Sequence, residues 1–192
     1  MGTVYTIGHS NRPIEEFLDL LREHGVERVL DIRTVPKSRH NPQFGQDQLP
    51  ASLAAAGIGY AYIRELGGLR RARKDTPNGA WRNASFRGYA DHMQTPEFNA
   101  HVEEVARLAQ GERCALMCAE AVPWRCHRSM VADALTVRGL PVEHIINQGR
   151  TKPHTLTPFA RVDGTRILYP PPELADARDA SDDPGEAAQE AG

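Results

Sequence analysis

The sequence predicts an α/β fold: one domain with a mostly parallel five-stranded sheet flanked by helices, a small C-terminal hairpin and a disordered tail. Three observations carry this. Short apolar, β-branched runs alternate with amphipathic helical segments along most of the chain, the pattern of a parallel sheet covered on both faces. Each of the first four strand-like runs ends in glycine or in polar residues. And 192 residues at 40% hydrophobic and 25% charged suffice for one core that needs no staples. The domain is read as residues 1–172 and the tail as 173–192.

The first strand is "VYTIGHS", buried in character and ending at Gly8. In "RPIEEFLDLLREHG" the residues Ile14, Phe17, Leu18 and Leu21 share one helical face, with Pro13 in the first turn and Gly25 past the end, as helix ends prefer. "VERVLDIR" is the second strand, "QDQLPASLAAAG" a short helix closed by Gly57, and "IGYAYIREL" the third strand. Residues 70–84, polar, basic and rich in turn formers, form a long loop, a length that in compact domains usually serves function or motion. Helices follow at "SFRGYADHM" and at "TPEFNAHVEEVARLAQG", the second with Thr95 as cap. "RCALMCAE" is the fourth strand, "RSMVADALTVRG" its helix, with Met130, Val131, Ala134 and Leu135 inward, and "PVEHII" the fifth strand. Asp163-Gly164 between β-prone runs marks a hairpin.

Charge is unevenly spread. The net charge is −2, yet the acid-rich tail places a positive excess on the rest of the chain. With only one large aliphatic residue, Leu174, and no aromatic, the tail cannot offset its ordering entropy. It reads as a solubilising end, or else as an arm that screens a basic site. No apolar run approaches the roughly 18–20 residues that cross a bilayer, and "MGTVYTIGHS" has no signal-peptide pattern. Three cysteines are an odd number for a secreted disulfide framework, so a cytoplasmic setting with free thiols is expected. Oligomeric state is left open.

In open parallel sheets, sites lie outside the carboxyl ends of the strands. There the sequence places His9-Ser10, Asp31-Ile32-Arg33, Glu65-Leu66-Gly67-Gly68 and Cys118-Ala119-Glu120. Densest is "CAEAVPWRCHRS", residues 118–129, between the fourth strand and its helix. A helix N-terminus with Arg125, His127 and Arg128 nearby lowers a thiol's pKa, and it equally suits an anion. Cys126 is therefore the favoured nucleophile, with Cys118 as the other candidate or a small core residue; Cys114 is core. Asp31 either orients a base or closes the turn by pairing with Arg33. His9 is a proton carrier, and Ser10 or Asn11 can cap the first helix. Arg64, Arg70, Arg71, Arg73, Lys74, Arg82 and Arg87, interleaved with Trp81 and Phe86, suit phosphates and stacked bases, or are a solvated loop. Cys118, Cys126, His127 and His9 include the donor types of a zinc or iron site, but the C-x7-C-H spacing matches no standard knuckle. No cofactor is expected.

The stretches "TIGHSNRPIEEFLDLL", "VLDIRTVPKSRHNPQF", "LGGLR", "YADHM", "TPEF" and "LMCAEAVPWRCHR" followed by "HI" resemble, in that order, the family catalogued as domain of unknown function 488, over about residues 3–148. The resemblance implies a bacterial cytoplasmic α/β protein whose strand-end motifs form a shared site; it implies no reaction. The Asp-x-Arg and the cysteine loop are also distantly similar to rhodanese and cysteine-phosphatase domains, although the segment from Cys118 to Arg125 is longer than their loop and lacks its glycines.

Together these readings predict an enzyme acting on a phosphate-bearing substrate, a nucleotide or a nucleic acid. Cys126 or Cys118 would attack, with His9, His127, Glu120 and Asp31 in acid–base roles. Ser10, Arg33, Lys37, Gly67, Gly68, Arg70, Trp81, Arg125 and Arg128 would bind the substrate. The rivals are a nucleic-acid-binding module with structural cysteines and a metal or redox protein.

Overall fold

The computed structural model describes residues 2–173. The expected acidic tail, apart from Glu173, lies outside the described residues. Six strands form one sheet: β1 (Val4–Gly8), β2 (Arg28–Asp31), β3 (Gly59–Tyr62), β4 (Cys114–Cys118), β5 (Val142–Asn147) and β6 (Arg150–Pro153). Their order is β3-β2-β4-β1-β5-β6. The first five are mutually parallel, as expected, and β6 adds an antiparallel edge. The sequence reading missed β6. Its residues Arg150, Lys152 and Pro153 are exposed, so it lacks the apolar alternation that marks a half-buried strand. The hairpin at Gly164 (φ +60°) is present as β7 (Arg161–Asp163) and β8 (Arg166–Leu168).

Strand alternation sorts the core into two layers. Ile7, Val29, Ala115, Met117 and Ile145 face α1 (Ile14–Glu23) and α2 (Leu49–Ala55), meeting Phe17, Leu21, Leu49 and Leu53. Val4, Leu30, Leu116 and Val142 face the other way. There they meet α3 (Ala84–His92), α4 (Pro96–Gly111) and α5 (Arg128–Thr136) through Tyr89, Val102, Val105, Val131 and Leu135. The central strand β4, "CALMC", is buried on both faces, which is why it reads as an unbroken apolar run.

The caps follow the sequence in α4, where Thr95 accepts from the Phe98 amide; α3 is capped by Asn83, which accepts from the Ser85 amide. They do not in α1. Pro13 takes the N-cap position with no side-chain cap, and Ser10 instead adopts φ +50° with its hydroxyl on Asn11. The chain turns too early for Ser10 to reach the helix.

The order of the strands fixes where a site can be. β1 and β4 are neighbours, with Gly8 paired to Cys118. The chain leaves β1 toward the α1 face and leaves β4 toward the opposite, α5 face. Such a divergence of adjacent connections opens a crevice at the carboxyl ends. Gly8 is required there, because a Cβ would run into the Glu120 carbonyl oxygen.

Candidate active site

A cleft of about 410 Å³ opens at this point. Its walls include His9, Arg33, Lys37, Gly68, Cys118, Glu120, Arg125, Cys126 and His127. Four segments far apart in sequence thus meet on one rim. Val35, Leu69 and Phe86 supply an apolar side.

Cys118 ends β4, and Cys126 lies two residues before α5. Their sulfurs are 2.8 Å apart. Arg128, the first residue of α5, is completely buried. Its Nη1 donates to Cys118 Sγ at 2.8 Å and to the Glu120 carbonyl at 2.8 Å. Its backbone amide, a free N–H of the helix end, points at Cys126 Sγ at 3.4 Å. Burial pushes the Cys118 thiol up. The hydrogen bond from Cys126 and the Arg128 guanidinium outweigh it and bring the pKa down to about 7. Cys126 moves the other way, because its proton is held toward Cys118 and burial disfavours a second charge. Of the two thiols, Cys118 is thus the one that ionises first, and Cys126 keeps its proton. The sequence reading favoured Cys126 because of its place at the helix start; it could not see the Arg128 side chain turn back onto Cys118. Cys114 is core, as expected, with burial raising its pKa to about 11.

His9 and His127 flank the pair. His9 Nδ1 donates to the Ser10 carbonyl at 2.7 Å, which leaves Nε2 as an acceptor facing Arg33 Nη1 at 3.4 Å. The ring stacks on Phe44. His127 Nε2 donates to the Ile32 carbonyl at 2.9 Å, so its Nδ1 lone pair faces Cys126 Sγ at 3.4 Å. Burial, chiefly, holds both imidazoles down to about 4, and nearby arginines add to it. Both rings are neutral acceptors at pH 7. Gly68 makes room for His127, since a Cβ would lie 2.5 Å from its Nδ1.

Several expected roles change. Both Asp31 oxygens are taken by Arg33, at 2.9 and 2.7 Å, and Oδ2 also accepts from Tyr60 at 2.6 Å. Asp31 is fully buried, so it positions Arg33 rather than moving protons. Arg128 is the thiol's partner, not a ligand-facing cation. Arg70 is spent on the Gly67 and Glu65 carbonyls, and buried Gly67 packs on Thr34. Ser10 is off the cleft and contributes its carbonyl to His9. Trp81 packs edge-on against Phe86, Phe159 and Tyr169 and lines a separate cavity. Lys37 and Arg125 are exposed on the cleft wall. Glu120 lies there too, its Oε1 accepting from the Val122 amide. In the basic loop Arg73 pairs with Asp75, and Arg87 donates to the Trp81 and Arg82 carbonyls. Part of that loop's charge is therefore consumed internally.

Sequence reasoning missed Tyr60 and Phe44. Tyr60 and Tyr62 alternate on β3 beside β2, and period-two aromatics next to a strand-end carboxylate were the available signal. Phe44 sits in a 3-10 turn and gave none. Among the described residues, no three His, Cys, Asp or Glu side chains are gathered to hold a metal ion. No described helix is long and apolar enough to cross a membrane.

A family model described as "Domain of unknown function DUF488" matches residues 13–135. The chain belongs to the DUF488 family. The matched span runs from just before α1 to the penultimate residue of α5 and holds Cys118, Cys126, Asp31, Arg33 and His127. In this DUF488 protein His9 and β5 lie outside it. Neither a curated protein nor a solved structure matches the chain.

Proposed function

We propose that the cleft is the active site of a cysteine-dependent hydrolase or transferase acting on a phosphate-bearing substrate, a nucleotide or nucleic acid. The observation that carries this reading is the contact between Cys118 Sγ and the buried Arg128 guanidinium, in a cleft rimmed by cations. Cys118 is the nucleophile, because a thiolate rather than a thiol attacks. Lys37 and Arg125 hold the anion, with Arg33 on the cleft wall beside them. Val35, Leu69 and Phe86 take the apolar part of the substrate. His9 Nε2 and Glu120 lie on the cleft and handle protons, and His127 seats Cys126.

The test is turnover of p-nitrophenyl phosphate and a panel of nucleotides, followed by release of phosphate. Cys118→Ser should abolish it. Lys37→Glu should raise KM by about tenfold or more, the equivalent of about 1.4 kcal/mol of lost anion binding. Turnover that survives Cys118→Ser would overturn the assignment. So would a panel in which no phosphate-bearing compound is consumed or bound.

A further inference from the structure

We propose that Cys118 and Cys126 form a peroxide-reducing dithiol, so that the cleft also carries out thiol-dependent reduction of hydroperoxides. The proposal rests on the Cys118 thiolate described above, but not on any phosphate-bearing substrate.

Geometry carries it. Peroxide reduction by two cysteines needs an attacking thiolate and a resolving thiol close enough to close the bond. In many arrangements the resolving sulfur must be brought in by unwinding a helix end. Here the two sulfurs already stand 2.8 Å apart across the seven intervening residues. Each has its own backbone anchor: Cys118, at the carboxyl end of β4, is held by the sheet, and Cys126 by the Pro123 carbonyl and the start of α5. Arg128 Nη1 contacts Cys118 from the buried side, leaving the cleft side for the oxidant. The third thiol, Cys114, sits at the far end of the same strand, in the core.

The chemistry balances. The Cys118 sulfur lone pair forms an S–O bond to the terminal peroxide oxygen as the O–O bond breaks. The leaving alkoxide, or hydroxide when the oxidant is hydrogen peroxide, takes the Cys126 thiol proton and departs as an alcohol or as water. The Cys126 thiolate then attacks the Cys118 sulfenic acid; an S–S bond forms, and the expelled hydroxide takes a proton from solvent to become water. The dithiol loses two electrons and the peroxide gains two. A low-molecular-weight thiol, two per cycle, returns the pair to the reduced state. Oxidation also removes the anion that Arg128 contacts. A buried guanidinium without its partner disfavours the disulfide form, so the disulfide should be readily reduced, as it is where the reduced form is the stabilised one.

The experiment uses the whole reduced protein and stoichiometric hydrogen peroxide or cumene hydroperoxide at pH 7, followed by acid quench, alkylation under denaturation and peptide mass spectrometry. The expected product is an intramolecular Cys118–Cys126 link with Cys114 still reduced. Cys126→Ser should instead accumulate a Cys118 sulfenic acid that dimedone traps, and Cys118→Ser should lose both products. With dithiothreitol present, wild type should consume many equivalents of peroxide, and Cys118→Ser none above background. Formation of intermolecular dimers, or oxidation of Cys114 at the same rate, overturns the proposal. If Cys118 is labelled by iodoacetamide at pH 7 yet resists peroxide, the dithiol proposal falls and the nucleophile reading stands. If it resists both reagents, the thiolate itself is refuted and both readings fall.

Discussion

Replacing Arg128 by methionine should move the titration of Cys118 and leave the fold standing. Arg128 is wholly buried and touches the sulfur at 2.8 Å. Without it, the hydrogen bond from Cys126 is the main opposition left to burial, and the thiol should titrate higher, toward its ordinary value of about 8.5. In the wild type the midpoint is about 7. At pH 7 the thiolate fraction then falls from about one half toward about 3%. The rate of alkylation falls less than that. A thiolate of higher pKa is intrinsically the better nucleophile, with a Brønsted coefficient of about 0.4–0.5, so the loss at pH 7 is only about threefold. The discriminating quantity is therefore the midpoint of the pH profile, not a rate at one pH. It is read by iodoacetamide labelling from pH 5 to 10, with each cysteine quantified by mass spectrometry and folding checked by near-ultraviolet circular dichroism. The variant should fold, because the bereft thiolate simply takes a proton. What remains uncompensated is the carbonyls of Glu120 and Ala121, a loss of about 1–3 kcal/mol. A folded variant with an unchanged midpoint would refute the reasoning, as would a wild-type midpoint at 8.5 or above.

Three further outcomes are expected. Tyr60→Phe removes one of the hydrogen bonds to the Asp31 carboxylate and should lower stability by about 1.5–3 kcal/mol in urea unfolding. Gly68→Ala should destabilise by about 1–3 kcal/mol and shift the His127 ring resonances, since its methyl group meets the imidazole; unchanged resonances would show that the glycine is not needed for that ring. His9 and His127 titrate near 4 in the folded protein and His144 near 3, all depressed chiefly by burial. Their contribution is thus present above the unfolded value of about 6.5 and is lost as pH falls toward 4. The urea midpoint should drop between pH 6.5 and 4, and nuclear magnetic resonance should find those three rings still neutral at pH 5.5.

The rim was legible because backbone topology put it there. Parallel strands bring their carboxyl ends to one edge, so His9, Arg33, Cys118 and Cys126 could be grouped from strand ends alone. What each side chain does on that rim was not legible, because it depends on where long side chains turn. Arg128 lies on a helix whose inward face was predicted from Met130, Val131, Ala134 and Leu135, yet nearly the whole helix is buried. An arginine in such a helix must find partners inside, and the nearest are a thiolate and two carbonyls. Asp31 shows the same effect in reverse. Its spacing to Arg33 allowed either a free carboxylate or a closed pair, and only the arrival of Tyr60 from β3 decides for the pair. β6 escaped for a different reason: an exposed antiparallel edge strand has no buried face to impose a period.

These local outcomes interlock. Asp31 and Tyr60 hold Arg33 against His9, and Phe44 stacks beneath the same ring. The Ile32 carbonyl fixes the His127 tautomer, and that ring lies against Cys126. Cys126 in turn faces Cys118, whose charge Arg128 sustains from within the core. One chain of hydrogen bonds therefore runs from the Ile32 carbonyl, just past β2, through His127 and Cys126 to the Cys118 sulfur, and a second runs from Asp31 through Arg33 and ends at His9. None of their members needs a mobile loop, because each is anchored by a strand end, a helix start or a backbone carbonyl. That rigidity is what a preorganised nucleophile requires.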